Sequence, residues 1–573
     1  MRKKSVILGI QFGGHDTAAG LMIDGKMIAT CEEERYNREK HTRAFPNNAI
    51  KDCLKIGGVT MEDIDEIGFG FDPILLVRET YLRSALENDD RMRFFLADID
   101  RIKEEMNTEE RIRRETDFEG PITFHRHHLC HLASAYYPSG FQDALLYSID
   151  GMGEIETTLL ASGKKGAMKV VHDGNRYPHS LGLLYSAITF YLGWKHHCDE
   201  GIIMGLAPYG NAKAKIPGSK RTYADVFADI IKTTGEFDFE VNTEWIAYHK
   251  IRDTWVSDAF KKVFGPKREP SDPLEQHHKN IAAALQDRLE EIVLKQLRIA
   301  RKKFKHSKLC LAGGVALNCS LNGAIESAGI FDEIYVQPAS GDQGTVIGAC
   351  YLSHLTRNGA LKPIKDLDTQ KGSRFTDKEI IAALKGAGIE AHKPKDIFAL
   401  TAQKLSEGKI VGWFQGGAEF GPRALGNRSI LTRPYPAAMK DHLNARVKFR
   451  EEFRPFAPAV LPEFQDEYFS IKQASPHMLI ACKVRPGKRS EIAATVHVDD
   501  SCRVQTVLPK VYPHFYKLLR AFEKQTKCPV LLNTSFNVKG QPIVNSPIEA
   551  IKCFQATNID FLVVGDWCVE KAA

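Results

Sequence analysis

The feature that most constrains the fold of this chain is a strand–turn–strand pattern that occurs twice. In the first copy, SVILGIQFGGHDTAAGLMIDGKMIATCEEER (5–35), an apolar strand and a glycine-rich polar turn precede a hairpin closed by DGK. The second copy, DALLYSIDGMGEIETTLLASGKKGAMKVVHDG (143–174), again joins an apolar strand, an acidic glycine-rich turn and a returning hairpin. The duplication predicts two similar β-meanders.

Helical patterns accompany both copies. Leucine and isoleucine recur at helical spacing over 50–118 and 280–304. The segments 308–325 and 332–355 each predict a strand, a glycine turn and a helix, and such turns present backbone N–H groups to phosphate. Meanders followed by helices are typical of the two-lobed actin-like ATPases, in which nucleotide binds between the lobes. The expected fold class is therefore α/β.

The length of 573 residues exceeds one hydrophobic core, so two or three domains are expected. The stretch 356–375 is polar and aperiodic, which predicts a linker. We expect a first domain over 1–358, a linker over 359–372 and a second α/β domain over 373–573. Strands of the second domain are predicted at 409–416, 456–463 and 528–536.

Composition excludes several classes of protein. The chain is 43% hydrophobic and 26% charged, as in ordinary globular proteins, and its net charge of +6 is mild for this length. The basic run at 298–308 predicts a solvated helix end rather than a nucleic-acid site. The 12 cysteines include no CxxC pair, which favours reduced thiols over a zinc ribbon or a disulfide framework. No signal peptide and no apolar run near the ~18 residues of a membrane helix is present, so we expect a cytoplasmic protein.

Four histidines crowd the stretch HRHHLCH (125–131). His127 and His131 are four residues apart and would share one face of a helix, the geometry in which two imidazoles can grip one metal ion. Asp150 ends an apolar strand and Asp342 lies in a polar turn, and such a His/His/Asp/Asp set suits iron, manganese or zinc. The alternatives are a charge-balanced helix surface for the histidines and an ordinary turn role for Asp150.

Two further clusters contain residues suited to catalysis or anion binding. His15 follows the first strand on a glycine turn, where it could act as a general base or simply hydrogen-bond the backbone. Lys40 and His41 could contact an anionic substrate or belong to a solvated loop. In the second half, cations, hydroxyls and amides among Gly, Pro and Phe predict a phosphate clamp, with a surface basic patch as the alternative. These residues are Arg423, Arg428, Lys448, Arg450, Arg454, Arg503, Asn533, Ser535 and Asn537.

Taken together, the motifs resemble those of the NodU/CmcH O-carbamoyltransferases, which carbamoylate hydroxyl groups of Nod factors, cephalosporins and aminoglycosides. The resemblance spans nearly the whole chain. It rests on the motifs HHLCH, SIDGMGE, EGIIMGLAPYG, AGGVALNCSLN, SGDQG, EFGPRALGNRSIL, FREEFRPFAP and LNTSFN. It implies an actin-like (ASKHA, duplicated RNase H-like) metal-dependent first domain and a YrdC-like second domain that makes carbamoyl-adenylate.

The resemblance also implies roles for individual residues. His127, His131, Asp150 and Asp342 become ligands of a divalent metal, commonly Fe²⁺, and His15 becomes the base that acts on the acceptor hydroxyl. Lys40 would contact the acyl donor, and Gly205, Gly313, Gly314 and Asn318 would surround nucleotide in the first domain. In the second domain, carbamoyl phosphate and ATP with Mg²⁺ would be held by Arg423, Lys448, Arg454, Arg503 and Ser535.

Two residues depart from the family pattern. Ile202 stands where a lysine is usual, which puts a phosphate contact in doubt, and Leu132 replaces a small residue after the second ligand histidine. The implied partners are carbamoyl phosphate, ATP and a small-molecule hydroxyl acceptor, without nucleic acid or membrane, and a homodimer is left open. The acceptor itself is not readable from the sequence.

Two alternative functions stay open at this point. A tRNA-modifying fusion of the same two domain types would use threonine and bicarbonate, but it would need a wide basic surface, which the mild net charge disfavours. An actin-like ATPase without transfer chemistry would have no use for a second phosphate clamp.

Overall fold

The computed structural model describes residues 4–87, 89–251 and 253–571. The chain divides into two compact units. The first holds the described residues of Met1–Met27, Arg43–Asn47 and Gly58–Asp366, and the second those of Ile28–Thr42, Asn48–Gly57 and Leu367–Ala573. The second unit thus begins near the predicted linker, but it also includes two N-terminal segments that no sequence signal assigned to it.

The strands follow the predicted pattern in both halves of the chain. In chain order they are β1 (Val6–Gln11), β2 (Ala18–Ile23), β3 (Lys26–Glu32), β4 (Glu66–Phe69), β5 (Ile122–Phe124), β6 (Asp143–Ile149), β7 (Thr158–Lys164), β8 (Ala167–His172), β9 (Ile231–Thr233), β10 (Phe239–Val241), β11 (Lys308–Ala312), β12 (Glu333–Val336), β13 (Val411–Phe414), β14 (Arg428–Thr432), β15 (Ala457–Val460), β16 (Phe469–Ser470), β17 (Ala481–Val484), β18 (Ser501–Arg503), β19 (Gln505–Thr506), β20 (Val530–Ser535), β21 (Phe561–Val564) and β22 (Trp567–Glu570).

The helices carry or flank most of the predicted site residues. They are α1 (Glu34–Asn37), α2 (Asn47–Gly57), α3 (Pro73–Leu76), α4 (Arg83–Glu87), α5 (Asp89–Ala97), α6 (Ile99–Met106), α7 (Thr108–Thr116), α8 (His127–Ser139), α9 (Leu181–Tyr191), α10 (Glu200–Leu206), α11 (Tyr223–Ile230), α12 (Asp258–Phe264), α13 (Gln276–Phe304), α14 (Cys319–Ser327), α15 (Thr345–Asn358), α16 (Asp377–Gly386), α17 (Ile397–Ser406), α18 (Met439–Leu443), α19 (Gln465–Tyr468), α20 (Pro513–Thr526) and α21 (Pro547–Ala556).

Two five-stranded sheets share one topology, and all of their strands except most of β3 lie in the first unit. Their orders are β3-β2-β1-β4-β5 and β8-β7-β6-β11-β12. In the first sheet, β1 pairs antiparallel with β2 and parallel with β4. In the second sheet, β6 likewise pairs antiparallel with β7 and parallel with β11. Each sheet therefore has the strand order 3-2-1-4-5, which confirms the duplicated, actin-like architecture that the repeated pattern predicts.

The uninterrupted helical prediction over 50–118 was wrong at Glu66–Phe69. These four residues form β4, which is buried along its length and pairs in parallel with β1. A buried strand this short shows no alternation, so periodicity cannot separate it from the helices on either side. The helices predicted on either side of β4 are present among the described residues, as α2 before it and α3 to α7 after it.

Helix α8, which carries His127 and His131, packs closely against α15, which begins three residues after Asp342. A Cβ atom at Gly348 of α15 would collide with the carbonyl oxygen of Cys130 in α8. A glycine is therefore required at this contact. The approach brings the polar turn before α15, which includes Asp342, towards the first turn of α8.

The second unit is built around a sheet with the order β19-β15-β20-β14-β13-β21-β22, and β16, β17 and β18 form a smaller one. The predicted strands at 409–416, 456–463 and 528–536 correspond to β13, β15 and β20 and are confirmed. The likeness of this unit to YrdC-type domains stays a prediction. Among the residues described, no helix combines the length and apolar character needed to cross a membrane. All 12 cysteines are free thiols.

Candidate active site

The four residues predicted to bind metal come together in the first unit. Their ligand atoms all lie within 4.8 Å of one another. The Nε2 atoms of His127 and His131 are 2.9 Å apart, and each lies close to Oδ2 of Asp150, at 3.2 and 3.1 Å. Oδ1 of Asp342 lies 3.5 Å from Nε2 of His127. This convergence of two imidazole nitrogens and two carboxylates fits a divalent transition metal.

Backbone groups orient the ligand side chains. Nδ1 of His127 lies 3.2 Å from the Gly70 carbonyl, which can only accept, so this nitrogen carries the proton and Nε2 is left for a metal. The N–H of Gly314 donates to Oδ1 of Asp150 at 2.9 Å, which leaves Oδ2 to face the histidines. Gly314 therefore supports a metal ligand, which the sequence had not predicted.

Glu154 is a buried residue of this site that sequence reasoning missed. Its Oε1 accepts the backbone N–H groups of His127 and Asp72, at 2.9 and 2.8 Å, so it fixes the first turn of α8. Burial raises the pKa of its carboxyl group. Its place in SIDGMGE, four residues after Asp150, was the available signal.

The electrostatics of the cluster are those of a coupled acid–base group. Burial disfavours the charged form of His127, but the carboxylates of Asp342 and Asp150 outweigh it and raise its pKa well above the usual value. Burial also opposes ionisation of Asp150, yet its hydrogen bonds with His127 and His131 hold its pKa well below the usual value. Without a metal, a proton on His127 offsets part of the negative charge of the carboxylates.

The other two histidines of HRHHLCH have structural partners. His128 accepts from Ser148 Oγ at 2.7 Å through Nδ1 and donates to the Glu156 carbonyl at 2.9 Å through Nε2. Burial lowers its pKa to about 3, so it stays neutral. His125 Nε2 lies 2.8 Å from Ser353 Oγ, and burial lowers its pKa to about 4. The stretch therefore supplies two ligand candidates and two histidines that hold the fold together.

His15 lies on the turn between β1 and β2, near the metal-ligand cluster. Its side chain is 28% exposed, and its Nδ1 lies 3.1 Å from Oδ2 of Asp16. A Cβ placed on the neighbouring Gly14 would lie 3.7 Å from Oδ2 of Asp342, which shows how close the turn approaches the cluster. The His15 ring faces His197, with centroids 6.2 Å apart.

His197 is a second residue that the sequence interpretation did not single out. Its backbone has a φ of 56°, a strained value for a side chain of this size, and its N–H donates to Glu200 at 2.6 Å. Burial lowers its pKa to about 3, so its ring is neutral. The pair of rings presents imidazole groups beside the cluster, where a hydroxyl could be deprotonated.

The residues expected around nucleotide in the first unit have different local roles. Gly313 has a φ of 88° and lies against Ile149 so tightly that a Cβ would clash with its carbonyl. Asn318 caps α14 by accepting from Leu321 N–H at 2.9 Å, and it also bonds with Gln286. Gly205 lies buried within α10. A nucleotide role for these residues stays a prediction, and the side chain of Asn318 is already used by its cap.

The second unit brings Lys448 and Ser535 together. Lys448 ends a π-helical turn, Asn444–Lys448, a type of turn that often marks functional sites. Its ammonium group donates to the carbonyl and Oγ of Ser535, at 2.9 and 3.2 Å, and to the carbonyl and Oδ1 of Asn537, at 2.9 and 2.7 Å. Ser535 is the last residue of β20 and Asn537 follows it by two residues, so the acceptors lie at and just beyond the end of this strand.

Lys448 belongs to a group of mutually repelling cations. Burial, then the charges of Arg450, Arg454 and Lys40, lower the pKa of Lys448 well below its usual value. Burial and the charges of Arg454 and Arg503 do the same to Arg450, whose guanidinium lies 4.1 Å from the Phe456 ring centroid. Such a cluster favours a multiply charged anion. Lys40, expected to act with the first domain, is grouped with this unit instead.

The loop that carries Arg423 is hydrogen-bonded to strands β19 and β20. Asn533 on β20 donates to the Ala424 carbonyl at 3.2 Å, and Gln505 on β19 donates to the Leu425 carbonyl at 2.7 Å. Gln505 is two residues beyond Arg503, and Asn533 is two residues before Ser535. The Arg423 loop therefore contacts β20, which ends at Ser535, and β19, which begins two residues after Arg503. Arg428 is different, because its buried guanidinium donates to backbone carbonyls such as that of Ser373 and so stabilises the fold.

The duplicated sheets and the His/His/Asp/Asp cluster define an actin-like α/β protein with a site suited to a metal ion. Residues 6–351 match the carbamoyltransferase N-terminus, and residues 402–571 match the carbamoyltransferase C-terminus. The chain belongs to the carbamoyltransferase family, and it is an enzyme that transfers carbamoyl groups.

Several relatives match nearly the whole chain. Nodulation protein NolNO of Sinorhizobium fredii is 37% identical over 97% of this chain and 79% of its own length. The 3'-hydroxymethylcephem-O-carbamoyltransferase of Amycolatopsis lactamdurans is 28% identical over 98% of both chains. The uncharacterized protein sll1178 of Synechocystis is 39% identical over 99% of this chain and 97% of its own. Among solved structures, HypF of T. kodakarensis aligns at 13% identity with a TM-score of 0.30 over 62% of this chain and 48% of its own, too low to bear on function.

Replacing His131 with alanine is expected to weaken binding of a divalent metal ion, because it removes one of the two imidazole nitrogens of the cluster. Loss of a residue that only supports a ligand lowers metal affinity by about 10–100-fold, and loss of a ligand should exceed this. Metal content after purification and after reloading with Fe²⁺, Mn²⁺ or Zn²⁺ measures the effect. His125→Ala, from the same stretch but bonded to Ser353, is the matched control and should retain the ion. Equal metal content in both variants would contradict the assignment.

Proposed function

We propose that this carbamoyltransferase is an ATP-dependent O-carbamoyltransferase. The second unit makes carbamoyl-adenylate from carbamoyl phosphate and ATP with Mg²⁺, and the first unit transfers the carbamoyl group to a hydroxyl of a small natural product. The observation that carries the proposal is the cation cluster of the second unit. Burial and neighbouring cationic charges lower the pKa of its members Lys448 and Arg450 well below the usual values, and a phosphate-rich ligand would offset that unfavourable charge.

The second unit would form carbamoyl-adenylate in two steps. Water cleaves carbamoyl phosphate to carbamate and inorganic phosphate. A carbamate oxygen then attacks the α-phosphorus of ATP, and pyrophosphate leaves with the electrons of the broken P–O bond. Negative charge builds up on phosphate oxygens as this bond breaks, so Arg423, Arg454 and Arg503 would stabilise the transition state. Lys448 would be held for the same purpose by Ser535 and Asn537.

In the first unit, the acceptor hydroxyl attacks the carbamoyl carbonyl and AMP leaves. His15 would take the hydroxyl proton, a role that suits a partly exposed imidazole on a glycine turn. His127, His131, Asp150 and Asp342 would hold the divalent metal, with Fe²⁺ as the proposed ion. When bound, such an ion would supply Lewis-acid polarisation of a carbonyl or phosphate oxygen.

The printed name of the Amycolatopsis relative describes transfer to a hydroxymethyl group, which supports a hydroxyl acceptor here. The mild net charge of +6 supports a small acceptor rather than tRNA, whose binding depends on many phosphate contacts.

A single-turnover assay without acceptor tests the proposal. Purified protein is mixed with ATP and either carbamoyl phosphate or threonine with bicarbonate, and pyrophosphate and adenylate are measured. Pyrophosphate that depends on carbamoyl phosphate is the expected result. Release only with threonine and bicarbonate would favour tRNA modification. Cleavage of ATP between the β and γ phosphates would favour an actin-like ATPase and contradict the proposal.

A further inference from the structure

The segment Ile28–Thr42 is part of the second unit, although it lies close to the N-terminus in sequence. It includes EEERYNREKH (32–41), whose charged residues other than Lys40 have no role in the proposed chemistry. Arg38 at its centre donates to the carbonyls of Pro542 and Ile543, at 2.7 and 2.8 Å. Its charges therefore make specific contacts within this unit.

Glu32 and Arg35 bind both backbone polar groups of Gly421 in the loop that carries Arg423. Glu32 Oε1 accepts the N–H of Gly421 at 3.1 Å, and Arg35 donates to the carbonyl of Gly421 at 2.8 Å. The two side chains form an ion pair of 2.5 Å and are only 7% and 6% exposed. The backbone N–H and carbonyl of Gly421 thus both have hydrogen-bond partners in this pair. Arg35 and Glu32 are 386 and 389 residues away from Gly421 in the sequence.

Glu419 fixes the other side of the same loop. Its Oε1 accepts the N–H groups of Leu425, Asn427 and Arg428, at 2.9, 2.7 and 3.1 Å. Arg423 therefore lies midway between two anchored points, Gly421 and Leu425. A loop held at both ends in this way can keep a long side chain within the narrow tolerance that phosphoryl chemistry requires.

The electrostatics support a fixed pair. Burial disfavours the charge of Arg35, but the carboxylates of Glu32, Glu34 and Glu419 outweigh it and raise the pKa of its guanidinium. Removing one partner would leave the other charged and buried, which is costly, whereas an exposed pair would contribute little. A buried ion pair is a weak source of stability, so its placement on this loop calls for another explanation.

We propose that Glu32 and Arg35 are a positioning pair for Arg423, supplied by the N-terminal segment to the adenylate-forming unit. The pair holds the backbone N–H and carbonyl of Gly421 and thereby sets where the Arg423 guanidinium meets the phosphates of the substrates. The inference rests on the proposed function for its chemical consequence, but the anchoring of the loop can be tested without it.

The first test compares full-length Arg35→Met and Glu32→Gln with the wild type. Pyrophosphate release that depends on carbamoyl phosphate should fall by about 10²-fold, the loss typical of a misplacement near 1 Å. Arg268→Met is the matched control, because Arg268 is a buried arginine of the first unit that also holds backbone carbonyls, those of Leu192 and Asp272. It should lower thermal stability without slowing pyrophosphate release, and equal slowing in the control would overturn the proposal.

The second test separates positioning from general stabilisation. The effect of Arg35→Met is measured again in an Arg423→Lys background, where a positioning role predicts a much smaller further loss and an independent structural role predicts an additive one. Hydrogen exchange of the loop peptide over 416–428 should be faster in both single variants. Additive losses, or unchanged exchange of this loop, would overturn the positioning pair. If the wild type releases no pyrophosphate, the proposed function fails, and loop exchange alone decides whether the pair anchors residue 421.

Discussion

Replacing Arg423 with alanine is expected to reduce pyrophosphate release that depends on carbamoyl phosphate by about 10²–10³-fold, because one donor aimed at a developing oxyanion has this effect elsewhere. The loop around Arg423 is anchored by Glu419 and by the hydrogen bonds of Glu32 and Arg35 to Gly421, so the substitution should leave the backbone in place. A single-turnover pyrophosphate assay measures the loss, and far-UV circular dichroism checks the fold.

Arg433→Ala provides the matched control. Arg433 is another arginine of the second unit, but it donates to the Ser406 carbonyl at 3.0 Å and packs on Tyr435, away from the anchored loop. Its replacement should leave pyrophosphate release near the wild-type rate. Normal release by Arg423→Ala would remove this arginine from the phosphate site and with it the reason for the Glu32–Arg35 pair.

Replacing His15 with alanine is expected to separate the two half-reactions. Pyrophosphate release should be unchanged, because the cation cluster lies in the other unit, whereas carbamoyl transfer should fall by about 10²–10⁴-fold, the usual contribution of a general base. Carbamoyl-adenylate should therefore accumulate with an acceptor that the wild type carbamoylates. Chromatography of the quenched reaction measures adenylate and product together.

Chemical rescue gives the His15 prediction a readout specific to proton transfer. Added imidazole should restore part of the transfer rate of His15→Ala, since it can enter the space left on the exposed turn. His172→Ala is the control and should transfer normally, because His172 lies on β8 and pairs with Asp238. Unchanged product yield in His15→Ala would refute the base, and lost pyrophosphate release would show that His15 acts in adenylate formation.

The fold of the first unit was largely predictable from the sequence. Strand and helix periodicities are local, so the meanders at β1–β3 and β6–β8, the long helix α13 and the strand–turn–helix segments could be located from neighbouring residues alone. The duplication then determined the architecture, because two copies of one meander form two sheets of the same order.

The metal-ligand cluster was predictable for a related reason. His127 and His131 share a helix face because they are four residues apart, and strand β6 places Asp150 at its end. Chemistry then limited what such a set could bind. Residue types predicted the phosphate clamp of the second unit, the resemblance to carbamoyltransferases named its ligands as carbamoyl phosphate and ATP, and Lys448 lies beside Ser535 in the structure.

Other features depended on partners that no local pattern reveals. Strand β4 was hidden because its four buried residues become a strand only by pairing with β1. Arg428 resembles a phosphate-binding residue in sequence, but its buried guanidinium binds backbone carbonyls, and Asn318, whose nucleotide role stays a prediction, also caps a helix. A sequence pattern does not reveal which polar side chains form hydrogen bonds with backbone groups in the folded protein.

The sequence by itself therefore determined the duplicated sheets, the His/His/Asp/Asp set predicted to bind metal and the cationic character of the second unit, because each follows from local spacing or residue type. Only the tertiary structure decided that Ile28–Thr42 belongs to the second unit, that Lys40 joins the cations there and that Glu32 and Arg35 hold Gly421. The physical reason is that these contacts join residues separated by more than half of the chain. Such contacts form because burial leaves backbone and charged groups that must find partners, wherever those partners lie in the sequence.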